Sequence, residues 1–148
     1  MIAYLGSPSK GDRHLLRYVQ SAIASCGVLC FAPCLGFNGK ELPVDRMRIM
    51  TMCFQNLAHS DFMVALVDTH TSGVFEEIDV ALKSRLPVAI FIPSSIVDKF
   101  QLAIPHYASG VSHFSNLNTL RSWIYELQEN RRNPQSGENP MVERERWS

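Results

Sequence analysis

Apolar residues fall along this chain in two alternating rhythms. Short unbroken runs stand at 2–5 (IAYL), 28–33 (VLCFAP), 61–68 (DFMVALVD) and 87–92 (PVAIFI). Their length and bulk are those of strands buried on both faces, as in a parallel sheet. Between them, apolar positions recur at helical spacing. Leu15, Leu16, Val19, Ala22 and Ile23 mark a helix over 12–26, and Met47, Met50, Phe54 and Leu57 share one side of a helix over 44–58. Val74, Phe75, Ile78, Ala81 and Leu82 form a stripe along a helix over 73–85. Gly27 stops the first helix and Pro33 ends the second strand. Residues 34–43 read as a loop, 96–104 as a short helix, 110–115 (GVSHFS) as a weak edge strand and 117–130 as a closing helix.

This β-α alternation predicts a single-domain α/β protein, a flavodoxin- or Rossmann-like three-layer sandwich. Its five-stranded parallel sheet is expected in the order 2-1-3-4-5. A length of 148 residues suits one domain with a sizeable core. The domain is expected over 1–130. Residues 131–148 (RRNPQSGENPMVERERWS) are polar, with Pro and Gly, and are expected to form a flexible tail.

Charge narrows the partners. Fourteen basic and fourteen acidic residues cancel, so no basic field points to polymeric nucleic acid and no run of like charge to a membrane surface. The apolar runs are strand-sized, too short to span a bilayer. The chain enters its first strand without the apolar core of a signal peptide, which makes the cytoplasm the expected location. Cysteines at 26, 30, 34 and 53 lack zinc-ligand spacing and read as reduced, mostly packed thiols. Neither GxGxxG nor GxxxxGK[ST] occurs. No metal and no cofactor is expected.

In a sheet of this order, ligands lie beyond the carboxyl ends of the strands, where strand order reverses. That point joins YLGSPSKG (4–11) to VDTHTSGVFEE (67–77). Gly6, Ser7, Ser9 and Lys10 lie in the first turn, with Lys10 either facing a ligand or simply solvated, and Tyr4 would line the pocket floor. Two glutamates follow the second turn. At about 100° per residue, Glu76 points away from the apolar stripe of its helix, while Glu77 lies on the flank, where a side chain leans over the sheet. Geometry alone leaves two readings open: a pair of surface acids near a helix N-terminus, or one acid, Glu77, aimed into the crevice.

The stretch D-F-M-V-A-L-V-D … S-G-V-F-E-E-I-D-V-A-L-K-S-R-L-P-V-A-I, with AYLGSP before it, resembles the nucleoside 2-deoxyribosyltransferase superfamily. The likeness spans roughly residues 2–115. In turn chemistry it is nearest the 2′-deoxynucleoside 5′-phosphate N-hydrolase-like members. It implies cleavage of an N-glycosidic bond, by hydrolysis or transfer, in a (deoxy)nucleoside or its 5′-monophosphate. Glu77 would be the nucleophile that traps an oxocarbenium-like state. Thr71 stands where transferases carry an Asp. With Ser72 and Gly73 it would hold a 5′-phosphate, unless it is simply a helix cap. Ser109, or less directly Ser112, would reach that phosphate from a neighbouring subunit. A homodimer or larger assembly is therefore implied, with Val80, Phe114, Trp123 and Tyr125 as interface candidates. Trp123 and Tyr125 cannot share one helix face, so one of them is expected to be exposed.

One departure matters. Counting back eight residues from Asp61, where the family has an Asp, lands on Cys53. A thiol accepts hydrogen bonds poorly and stays mostly protonated at neutral pH. Asp68 or His70 would have to stand in, unless they only make the turn polar. Otherwise the domain binds or senses a nucleotide without cleaving it. No His or Asn context supports Cys53 as a nucleophile.

Overall fold

The computed structural model describes residues 1–8, 12–36, 43–67, 72–96 and 110–133. Ten elements follow in order: strand β1 (Ile2–Gly6), helix α1 (Arg13–Ala24), strand β2 (Leu29–Phe31), a 3-10 turn (Pro33–Gly36), helix α2 (Pro43–Ala58), strand β3 (Phe62–Leu66), helix α3 (Ser72–Lys83), strands β4 (Val88–Phe91) and β5 (Val111–Phe114), and helix α4 (Leu117–Arg132). The sheet is parallel throughout, in the order β2-β1-β3-β4-β5. Both the α/β class and the strand order agree with the hydrophobic pattern.

Period-two alternation divides the core between the faces of the sheet. Ala3 and Leu5 of β1 point to one side and pack with Val19 and Ile23 of α1, Phe62 and Val64 of β3, and Trp123 and Ile124 of α4. Tyr4 points to the opposite side with Met63 and Ala65 of β3, Leu57 of α2, and Val74, Ile78 and Ala81 of α3. On the first side, Phe62 meets Trp123 edge-on with ring centroids 5.7 Å apart.

Local chemistry ends the helices. The Asp12 carboxylate caps α1 by accepting from the amides of His14 and Leu15. Gly27, at φ 79° in open space, lets the chain leave α1 in the left-handed region. Asn116 caps α4 through the Asn118 amide. Asp61, just ahead of β3, accepts from the amide of Ile2 at 2.7 Å and pairs with Arg131 at 2.7 Å. That carboxylate ties α4 to the amino-terminal edge of the sheet. The helix runs through Arg132, two residues past the expected end of the domain.

Several expectations need correction. Part of the loop expected over 34–43 is the 3-10 turn. Met47 and Met50 do not join Leu57 in the core: they are 73% and 49% exposed. Helix α2 is apolar on more than one side, so its sequence gives no single inward direction. Phe114 and Trp123 are interior residues, and Val80 packs against the core. Of the interface candidates only Tyr125 lies open, at 49%. All of the helix expected over 96–104 except Ile96 falls outside the described residues. Among the described residues, no helix is long and apolar enough to cross a membrane.

Candidate active site

Strand β1 ends in Gly6, followed by Ser7, beside β3 at the point where strand order reverses. Helix α3 crosses this face. Its Val74, Ile78 and Ala81 are fully buried against the sheet, and this anchoring fixes the rotation of the helix. Glu76 consequently faces solvent, while Glu77 is turned inward toward β1. The two adjacent glutamates thus occupy different environments, as their helical phases predict.

The Glu77 carboxylate lies against Gly6. A Cβ added at Gly6 would sit 2.8 Å from Met63 Cε, 3.3 Å from Glu77 Oε2 and 3.5 Å from Tyr4 Cε1. This glycine is dictated by space, because side chains converge on it from β3, α3 and its own strand. Met63, the cross-strand partner of Tyr4, therefore forms the wall beside the carboxylate.

Tyr4 stands beneath, with its hydroxyl in electrostatic range of both Glu77 and Cys53. Its ring leans on Phe31 of β2, centroids 5.9 Å apart. Ser7 is buried, and its carbonyl accepts from Cys34 Sγ at 3.0 Å. That contact fastens the 3-10 turn after β2 to the end of β1. Among the described residues, three buried oxygens here, Tyr4 Oη, Ser7 Oγ and Glu77 Oε2, have no hydrogen-bond partner. Buried polar atoms ordinarily find partners within the protein, so a cluster of unsatisfied ones is what a ligand or water would complete.

The protonation states follow from burial. Loss of solvent pushes Glu77 up to about 7; the neighbouring Tyr4 phenol pulls it back, and Glu76 adds a smaller upward push. Tyr4 is driven far above the ordinary phenol range, by burial first and by the Glu77 charge second. Burial likewise raises Cys53; Tyr4 opposes this, while Glu77 and Cys34 reinforce it. Cys34 also rises, mainly through burial. At neutral pH the site therefore offers one carboxyl group divided between its two forms, among a phenol, a hydroxyl and thiols that keep their protons. Such a carboxyl can attack as a nucleophile or hand over a proton.

Of the residues singled out by sequence, Tyr4, Gly6, Ser7, Cys53 and Glu77 are brought together. Ser9, Lys10, Asp68, His70, Thr71 and Ser109 lie outside the described residues, as do the side chains of Ser72 and Gly73. Ser112 is buried within β5. Sequence reasoning missed Cys34 and Met63. Cys34 had a usable signal, since it follows the strand expected next to β1. Met63 had none beyond its inward parity with Tyr4. Among the described residues no group of His, Cys, Asp and Glu side chains is arranged to hold a metal.

No family model matches the chain, and no curated protein matches it. A solved structure does: the 2-deoxyribosyltransferase of the psychrotolerant bacterium Bacillus psychrosaccharolyticus, a biocatalyst for the synthesis of antiviral and antitumoral nucleosides. It superimposes with a TM-score of 0.65 over 82% of this chain and 90% of that one, at 16% identity. The two chains share a fold.

Proposed function

We propose that this protein is an enzyme of the nucleoside deoxyribosyltransferase kind, cleaving the N-glycosidic bond of a nucleoside or its 5′-monophosphate with Glu77 as nucleophile. The observation that carries the reading is the buried Glu77 carboxylate at the switch point of the sheet, its Oε2 against Gly6 and without a hydrogen-bond partner among the described residues. The fold shared with a 2-deoxyribosyltransferase supports it.

In the mechanism, one Glu77 oxygen attacks C1′ as the bond to the base breaks and its electron pair leaves with the base nitrogen. Water, or a second base, then displaces the carboxylate from C1′ and restores the enzyme. Burial makes the carboxylate more basic and less solvated, so it meets developing positive charge at C1′ with little competition from water. The nearby Tyr4 phenol, kept protonated, tempers the basicity of the carboxylate. Helix α3 begins at Ser72, so free amides of its first turn, together with Thr71, Ser72 and Gly73, would receive a 5′-phosphate. Ser109 from a second copy would complete that pocket in a homodimer.

The test is incubation with a panel of nucleosides and monophosphates, followed by chromatography for free base. Release by wild type and by Glu76→Gln, but not by Glu77→Gln, is the expected pattern; equal release by wild type and Glu77→Gln refutes it. Cys53 motivates a second reading, a domain that binds a nucleotide without consuming it. Its thiol lies near the Tyr4 hydroxyl and is held protonated by burial. That reading requires a ligand that raises the melting temperature yet survives prolonged incubation intact.

A further inference from the structure

Strand β1 leaves its ladder at Gly6, the last of its residues in register with β3. Ser7 follows and is buried, so its carbonyl stands where an unpaired acceptor is costly. A partner comes from across the end of the sheet. Cys34, in the 3-10 turn after β2, donates its thiol hydrogen to the Ser7 carbonyl at 3.0 Å. A thiol is a weak donor, but this one is held in place from more than one side. Cys34 and Leu35 pack together against the α1-side core. The Leu35 carbonyl accepts from the Arg13 guanidinium of α1 at 3.5 Å, and the Leu35 amide donates to the Ala32 carbonyl at 3.2 Å. A run of contacts therefore joins α1, the turn and the end of β1. It finishes at Glu77, whose Oε2 would lie 3.3 Å from a Cβ added at Gly6. With so little room, a small movement of the Gly6–Ser7 backbone changes the space that the carboxylate occupies. Glu77 is also close enough to act electrostatically on the Cys34 sulfur.

We propose that Cys34 is a positioning residue for the reaction: by holding the Ser7 carbonyl, it fixes the end of β1 against which the Glu77 carboxylate is set for attack on C1′. The proposal rests on the glycosidase reading above and adds to it a residue that acts through the backbone of β1. A nucleophile displaced by a fraction of an ångström meets C1′ in line less often, although the substrate still binds. The loss then falls on kcat rather than on KM. What the turn requires of position 34 is a hydrogen to donate. A hydroxyl can therefore stand in for the thiol, and a methyl group cannot.

Two pairs of variants separate donation from packing. Cys34→Thr and Cys34→Val introduce side chains of one shape that differ by a hydroxyl. Cys34→Ser and Cys34→Ala repeat the comparison with smaller side chains, in case the branched pair does not fold. Base release is measured on the nucleoside or monophosphate that wild type cleaves fastest, alongside thermal melting. The expected result is a kcat roughly 10-fold lower in the Val and Ala variants, with KM within about twofold of wild type. The Thr and Ser variants should recover kcat to within about threefold of wild type. Melting temperatures within a pair should differ by only about 2 to 4 °C, the scale of one hydrogen bond in a domain of this size. A contact that serves the fold alone would move the melting temperature and leave kcat of the folded protein unchanged, and that result overturns the proposal. Equal kcat loss in donor and non-donor members overturns it too, as does a rise in KM at constant kcat. In each of these cases the glycosidase reading stands, because wild type still releases base. Absence of release by folded wild type would overturn that reading and the proposal together.

Discussion

The two faces of the sheet are made from the same strands and end in opposite conditions. On the α1 and α4 side, Leu5, Phe62, Trp123 and Ile124 close a continuous apolar core. On the α2 and α3 side the core is apolar as far as Ile78 and Met63. Around Gly6 it meets three buried oxygens, those of Tyr4, Ser7 and Glu77, that have no hydrogen-bond partner among the described residues. Strand β1 serves both: Ala3 and Leu5 hold the domain together while Tyr4 and Gly6 lie against Glu77. Division of labour here is a matter of residue parity along one strand. Substitutions on the closed face should therefore act mainly by destabilising the fold, and those on the open face mainly through chemistry.

The largest separation is expected at Glu77. Replacement by Gln should lower base release by roughly 10³-fold or more, measured as kcat/KM. It should also stabilise the fold. The folded-state pKa of about 7 lies above the ordinary value of 4.5, so the folded protein holds its proton more tightly than the unfolded chain. Wild type accordingly loses stability as pH rises from 4.5 through 7, by something on the order of 3 kcal/mol above that range. Glu77→Gln should show no such loss, and melting temperatures of the two proteins from pH 4 to 9 would reveal the difference. For wild type, kcat/KM should rise with pH and level off above about 7, because the attacking form is the ionised one.

Next comes the closed face. Trp123→Ala removes an indole packed between Phe62 and Phe114 and should cost about 3 to 5 kcal/mol in urea unfolding. Whatever protein remains folded should retain its kcat. A large kcat loss at unchanged stability would erase the distinction between the faces.

Gly6→Ala sharpens the comparison, because the added methyl meets Met63 Cε at 2.8 Å and Glu77 Oε2 at 3.3 Å. The flexible end of Met63 can yield. The carboxylate must then shift, and a displacement of this size should lower kcat by roughly 10- to 100-fold, with about 1 kcal/mol lost in stability. His113 carries an opposite pH effect. Burial holds its imidazole down to about 4, below the ordinary value, so the folded state favours the neutral ring. Stability should fall as pH drops from about 6.5 through 4, and His113→Leu should flatten that acid limb in thermal melts. Smallest of all is Asp61→Ala. It removes one amide contact and a pairing with a well-exposed Arg131, worth about 1 kcal/mol in chemical denaturation, with activity unchanged.

Strand order and layers were legible because buried parallel strands are continuously apolar and the helices between α1 and α4 mostly carry one inward stripe. Helix α2 was the exception. Val44, Met47, Ile49, Met50, Met52 and Phe54 surround it with apolar side chains, so phase alone could not say that Met47 would be open and Leu57 closed. The inward turn of Glu77 was legible for the opposite reason: Val74, Ile78 and Ala81 leave α3 only one way to lie. The Cys34 contact to the Ser7 carbonyl was not: it joins residues from separate elements, which no local pattern encodes.

The account turns on whether Glu77 bonds to the sugar. Incubation with a 2-fluoro-substituted nucleoside slows the second step and allows the intermediate to accumulate. Intact-protein mass spectrometry should then show one added glycosyl unit, and peptide mapping should place it on Glu77. Base release with no adduct, or an adduct on another residue, would contradict the mechanism.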